Sequence, residues 1–262
     1  MLDNTRKAAE DAAAKVPAVT LGFWLIKVAA TTLGETGGDW VTMSLDLGYL
    51  LGSAIFAALF IALVCGQVWA DRFRPVLYWA TIVATTTLGT TLADFFDRSV
   101  GVGYPGGVAI ISVLLAASLL AWHRIEGTVS VRSITTPRAE SLYWITILFS
   151  QTLGTALGDW TAGSDRGGLG LGYGMGALIF GAALVAVFAA WRWTKASPTA
   201  LFWAAFVLTR PLGATVGDYL DKPISQGGLE MSRLGASLAL AAFMAACLVL
   251  MPQRAAKAGH GG

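Results

Sequence analysis

The chain has 262 residues, 55% of them apolar and 13% charged, with a formal net charge of +2. Soluble domains carry about 25% charged residues, so together with a mean hydropathy of +0.64 this composition excludes an ordinary soluble domain. It gives no reason to expect a nucleic-acid partner. The apolar residues come in runs of membrane-spanning length, which also excludes a barrel, whose strands alternate apolar and polar residues over about ten positions.

In chain order, the opening MLDNTRKAAEDAAAK mixes acids and bases without an apolar core. It reads as a cytoplasmic segment, 1–15, and not as a signal peptide. Eight apolar runs follow, at about 17–37, 47–69, 76–96, 104–122, 141–159, 171–193, 200–219 and 231–251. Joined by short loops, they predict one all-α membrane domain over 16–253, with a cytoplasmic tail at 254–262. Cys65 and Cys247 lie in apolar runs and are expected as buried, reduced thiols. His123 and His260 fall outside the runs, so a haem, copper or structural zinc centre has little to build on.

An internal repeat organises these runs. Phe23-Trp24, Tyr78-Trp79, Tyr143-Trp144 and Phe202-Trp203 open four copies, over about 17–70, 75–123, 140–193 and 199–251. TLGETGGDW, TLGTTLADF, TLGTALGDW and PLGATVGDY close the first helix of each copy. From Trp24 to Asp39, Trp79 to Asp94, Trp144 to Asp159 and Trp203 to Asp218, the spacing is 15 residues every time. Each copy holds two spans, so all four enter the membrane in the same sense. The prediction is eight transmembrane helices forming four parallel helical hairpins in a pseudo-fourfold arrangement, not inverted repeats.

On these aromatic–Trp pairs and Gly-Asp or Ala-Asp motifs, the chain from about Val19 to Met251 resembles a bacterial family of integral membrane proteins. That family is defined by four tandem two-helix repeats of unknown function, each with a characteristic tryptophan. The resemblance implies an inner-membrane protein and brings no activity with it.

Basic residues set the expected orientation. Arg72, Arg74, Arg124, Arg132, Arg138, Arg192 and Lys195 lie in loops on one side, joined by Arg6, Lys7, Lys15, Arg254 and Lys257 at the termini. The other side has Arg98, Arg166, Lys222 and Arg233. The positive-inside rule then puts both termini in the cytoplasm and the aspartates toward the outside. The repeat tryptophans are expected at the cytoplasmic interface, with Trp40 and Trp160 in a second belt opposite.

The aspartates carry the candidate chemistry. Fifteen helical residues rise about 22 Å, which places Asp39, Asp94, Asp159 and Asp218 within the outer third of the membrane. A charge there should face protein, water or a cation rather than lipid. Each follows a small-xxx-small pair, Gly34/Gly38, Gly89/Ala93, Gly154/Gly158 or Gly213/Gly217, that lets helices approach closely. A second set, Gly48/Gly52, Gly103/Gly107 and Gly172/Gly176, opens three return helices. Thr32, Thr36, Thr87, Thr91, Thr152 and Thr215 offer hydroxyl oxygens nearby. Carboxylates with such oxygens suit hard divalent cations, Na⁺ or protons. The candidate metal set is Asp39, Glu35, Asp94, Asp159 and Asp218, a bound divalent cation being the one cofactor it would suit. The alternative is a helix stop kept for folding alone.

Departures from symmetry add Glu35, Lys27 and Arg210, charged where the other copies carry uncharged side chains. Lys27, Thr31, Glu35 and Asp39 share one helix face at i, i+4 spacing. A Glu35–Arg210 pair across the bundle is the first expectation, and Lys27 is close enough to the interface to snorkel. Asp46, Asp97, Asp165, Asp221 and Glu230 suggest an external acidic cup. No HExxH or GxSxG motif points to an enzyme. The reading is a transporter for a small inorganic cation, a divalent metal or a proton-coupled ion, with Asp39, Asp94, Asp159, Asp218, Glu35, Arg210, Lys27, Thr36 and Thr91 along its path. A cation channel and a non-transporting scaffold are the alternatives, and the oligomeric state is left open.

Overall fold

A computed structural model describes residues 13–257. Arg6, Lys7, most of the predicted N-terminal segment and His260 lie outside them. Among the described residues there are eight long helices: α1 Leu21–Asp39, α2 Gly48–Trp69, α3 Pro75–Asp94, α4 Gly103–Glu126, α5 Pro137–Ala162, α6 Tyr173–Trp193, α7 Pro198–Asp221 and α8 Arg233–Leu250. Their starts are written in the sequence. The side chains of Thr20, Thr136, Ser197 and Ser232 accept from the backbone N–H three residues on, and proline stands in the first turn of α3, α5 and α7. After Asp39 and Asp94 the helices run on as π-helical turns, Trp40–Ser44 and Phe95–Val100.

The first helix of every repeat is an inner helix. α1 packs on α3, α3 on α5, α5 on α7, and α7 back on α1, closing a four-membered ring. The second helices lie outside it, and each packs along the first helix of the next repeat: α2 on α3, α4 on α5, α6 on α7 and α8 on α1. Within a repeat the two helices share little contact. The hairpins are therefore connected in sequence but interlocked in space, and no repeat buries its polar face without its neighbours.

Composition follows position. In the most apolar stretch of α3, 72% of residues are buried, against 11% in α2 and in α6. By length and composition alone, α2, α3, α4, α6, α7 and α8 can each cross a membrane. α1 and α5 are more polar, which the ring permits, because protein rather than lipid surrounds them.

The repeat glycines are the ring's contact points. A methyl group added at Gly34 would strike Thr86, at Gly89 the Gln151–Thr152 backbone, at Gly154 Arg210, and at Gly213 Thr31. The same offset recurs at each interface around the circle. The second glycine set divides its work. Gly48, Gly103 and Gly172 turn the chain with φ of 70°, 69° and 79°, whereas Gly52 abuts Thr42, Gly107 the Asp97 carboxylate, and Gly176 Thr215.

At the end opposite the aspartates, the tryptophans depart from the expected belt. Trp79, Trp144 and Trp203 are buried and join Phe23, Tyr78, Tyr143 and Phe202 in an aromatic layer. The Trp79 indole donates to Gln253 Oε1 at 3.2 Å and the Trp203 indole to the Val129 carbonyl at 3.0 Å, so these rings pack where both body and N–H are satisfied. Exposed Trp69, Trp191 and Trp193 suit an interfacial belt instead. Strands β1 (Ala13–Pro17) and β2 (Ala255–Lys257) pair antiparallel, and Lys15 Nζ reaches Glu140 at 3.1 Å and the Val68 carbonyl at 3.0 Å. Cys65 is exposed on α2 rather than buried, Cys247 is buried, and His123 belongs to the last turn of α4.

Candidate functional site

Counting from Gly34, Gly89, Gly154 and Gly213, every fourth residue of the inner helices falls on one face. The four copies therefore stack equivalent residues in layers. Phe23, Tyr78, Tyr143 and Phe202 form the aromatic layer, in which the Tyr78 and Tyr143 hydroxyls are 2.6 Å apart. Lys27, Ile82, Ile147 and Phe206 come next, then Thr31, Thr86, Gln151 and Arg210, then Glu35, Thr90, Thr155 and Ala214, then the four aspartates. All of these except Phe202 are buried.

Arg210 lies at the centre. Its guanidinium donates to Glu35 Oε2 at 2.9 Å and to the hydroxyls of Thr90 and Thr155 at 2.5 Å each. One side chain thus reaches all four inner helices. Lys27 does not snorkel. It is fully buried, with Nζ 4.2 Å from the Phe206 ring centroid and 3.4 Å from Gln151 Oε1. Its stem is too deep in the ring for the ammonium to reach water.

The aspartates are brought together, but as two pairs. Lys222 bridges Asp39 and Asp218, the second at 3.0 Å. Arg98 bridges Asp94 at 2.5 Å and Asp159 at 3.5 Å. Both bases stand four residues beyond an aspartate, on the same face, in the second and fourth copies, where the first and third have Met43 and Gly163. Sequence reasoning overlooked them, although continuing the i, i+4 ladder past Asp94 and Asp218 finds both. Ligand-capable oxygens of Asp39, Asp218 and Asp221 lie within 4.8 Å of one another, as do those of Glu35, Asp159 and Asp218.

Thr36 and Thr91 are not in this group. They stand two residues past the glycine, about 200° around the helix, and face the outer helices: Thr36 Oγ1 meets Ser237 of α8 at 2.8 Å, and Thr91 lies beside Gly52 of α2. Thr32, Thr87, Thr152 and Thr215 donate to carbonyls of their own helices. Thr90 and Thr155, one position after the glycine, supply the central hydroxyls instead.

Above the aspartates a cavity of about 530 Å³ is bordered by Asp159, Arg98, Lys222, Arg233, Tyr104 and Tyr173 among others. The predicted acidic cup takes another form. Asp46, Asp165 and Glu230 are exposed, but Asp97 and Asp221 are buried beside the ring, Asp97 against Gly107 and Asp221 with Arg233 Nε at 3.3 Å. The cavity wall therefore mixes both signs of charge.

The profile of the family described as Repeat of Unknown Function (DUF347) matches residues 22–73, 77–128, 142–197 and 201–252. The chain belongs to this family. Each match holds one inner helix with its glycine seam and aspartate, followed by one outer helix. The DUF347 repeat is thus a unit of sequence whose two helices serve different neighbours. No curated protein and no solved structure matches the chain.

Proposed function

We propose that this protein is a transporter for a small inorganic cation, a divalent metal or a proton-exchanged ion, working in a bacterial inner membrane. The observation that carries the reading is the convergence of carboxylates from the first, third and fourth repeats, with Asp94 of the second joined to Asp159 through Arg98, beneath a polar cavity inside an apolar bundle. Intramembrane acids that neither face lipid nor pair only with one another are the usual mark of an ion path. Toward the other end the axis is closed by Arg210–Glu35, by Lys27 over Phe206 and by the aromatic layer, so this is a state open on the aspartate side only. Access from the other side requires a rearrangement, which favours a transporter over a static channel. No covalent conversion of a substrate is part of the reading.

Both termini are assigned to the cytoplasm, as are the N-terminal segment, 1–15, and the tail, 254–262. Support comes from the count of bases among the described residues: Lys15, Arg72, Arg74, Arg124, Arg138, Arg192, Lys195 and Arg254 lie at the end away from the aspartates, against Arg98, Arg166, Lys222 and Arg233 at the aspartate end. Reporter fusions after Asp71 and Glu126 should give cytoplasmic signals, and a periplasmic signal at either place overturns the orientation.

A scaffold reading keeps one observation in its favour, since every ring aspartate already has a basic partner. Purified protein in liposomes separates the two. Transport predicts Mn²⁺ or proton flux that is lost in Asp39→Asn, Asp94→Asn, Asp159→Asn or Asp218→Asn protein that still folds, whereas a scaffold gives no flux for any cation.

A further inference from the structure

The end of the axis away from the aspartates carries a cover that none of the four repeats supplies. β1 and β2 stand before the first repeat and after the last, yet they pair with each other. Val16 and Ala256 are 4% and 7% exposed and share one apolar core with Phe23, Tyr78 and Tyr143. Val16 and Pro17 border a crevice whose other walls include Phe23, Tyr78, Tyr143 and Phe202, the whole aromatic layer. The ribbon therefore lies over the axis itself.

Polar contacts tie it to the bundle. Lys15 Nζ donates to Glu140 Oε2 at 3.1 Å, in the first turn of α5. The same ammonium donates to the Val68 and Gln67 carbonyls at 3.0 and 3.3 Å, in the last turn of α2. The Lys15 N–H reaches the Ile134 carbonyl at 3.4 Å, and Gln253, just before β2, accepts from Trp79. None of these contacts is a hydrogen bond within a helix, so lifting the ribbon leaves every helix intact. A two-stranded ribbon is marginally stable by itself, and segments with few buried apolar contacts are the first to open. Once released, Glu140 stays at the N-terminus of α5, where a carboxylate is favoured, and Lys15 regains water.

We propose that the β1–β2 ribbon is the gate at this end of the path, latched by Lys15 across α2 and α5. The inference rests on the transport reading and names the part that must move for access from that side. Latched, the ribbon covers the aromatic layer. The latch joins the first repeat to the third, so a shift of α2 against α5 pulls Lys15 from one set of acceptors and frees the ribbon. The aromatic layer then meets water, and the Arg210–Glu35 layer remains as the second barrier.

Access of a water-soluble maleimide to the layer tests this, on the purified full chain in detergent with Cys65→Ala and Cys247→Ala. In that background Phe23→Cys places one thiol under the ribbon, and it should label slowly. Adding Lys15→Met, or independently Glu140→Gln, should speed its labelling about tenfold or more. Ile111→Cys, buried in a separate apolar cluster against α5, is the control and should label equally slowly with and without the latch. Elution as a monodisperse peak checks folding for each variant. Labelling of Phe23→Cys that ignores the latch overturns the proposal, as does equal acceleration at Ile111→Cys. Liposome flux separates the gate from the broader reading. Lys15→Cys with Glu140→Cys, tied by a reducible bifunctional thiosulfonate, should lose Mn²⁺ uptake and regain it on reduction. Undiminished uptake with the ribbon tied sinks the gate and leaves transport standing, whereas latch-dependent labelling in a chain that moves no cation does the reverse.

Discussion

One helical turn separates the Glu35–Arg210 pair from the aspartate ring, yet their surroundings differ sharply. The pair is enclosed by side chains from all four inner helices, while at the ring Asp159 and the bridging Arg98 and Lys222 border a cavity of about 530 Å³. The pair exists once, made of residues that only one copy each possesses. The ring exists four times, from residues that every copy kept. Repetition built a symmetric set of acids beneath a polar cavity, and divergence then closed the axis below it with a single central ion pair. A buried pair is costly to assemble and contributes little net stability, but removing one partner strands the other. That difference makes the layer below the ring suited to sealing and the ring itself suited to exchange.

The comparison can be broken most violently at the glycine seam on which both levels depend. Gly213→Leu forces a side chain into the Thr31 side chain and the backbone behind it, and the variant should yield no folded protein by size-exclusion chromatography. Next is the seal. Arg210→Gln leaves Glu35 buried without its partner and should lower stability by about 3–5 kcal/mol in detergent unfolding. Adding Glu35→Gln should recover most of that loss; no recovery would mean that the threonine contacts, not the charge pair, hold the layer. Asp94→Asn leaves Arg98 paired with Asp159, so its cost should be smaller, about 1–3 kcal/mol, while flux falls to background. The mildest change is Tyr78→Phe, which removes one side of the 2.6 Å contact with Tyr143. About 1 kcal/mol is expected in the same unfolding experiment, with transport retained.

The repeat, the eight helices and the inward placement of the aspartates were legible because equal spacing along the chain becomes equal position around an axis. The Glu35–Arg210 contact was legible for a related reason: a lone acid and a lone base inside an apolar span have few alternatives to each other. The interlocking of α2 with α3 or α8 with α1 was not legible, since loop length says which helices are connected and not which are packed. The tryptophans were assigned to the membrane interface because an indole near a span end usually lies there; the buried Trp79 and Trp203 find N–H acceptors in Gln253 and Val129, which reach them from the segment after α8 and from the loop after α4. Lys222 and Arg98 were passed over as loop charges, although their offset from Asp218 and Asp94 continues the inner face. Thr36 and Thr91 were included because proximity in sequence was taken for proximity on the face, and a 100° turn per residue separates the two.

The central claim is that the ring conducts an ion, and flux through the purified protein tests it most directly. Liposomes containing the unsubstituted chain should take up Mn²⁺ saturably, and liposomes containing folded Asp39→Asn protein should match empty vesicles. No uptake of any cation by the unsubstituted chain would contradict the account and leave a membrane scaffold, and undiminished uptake by Asp39→Asn, Asp94→Asn, Asp159→Asn and Asp218→Asn alike would contradict it by leaving the aspartates as packing elements beside a path that lies elsewhere.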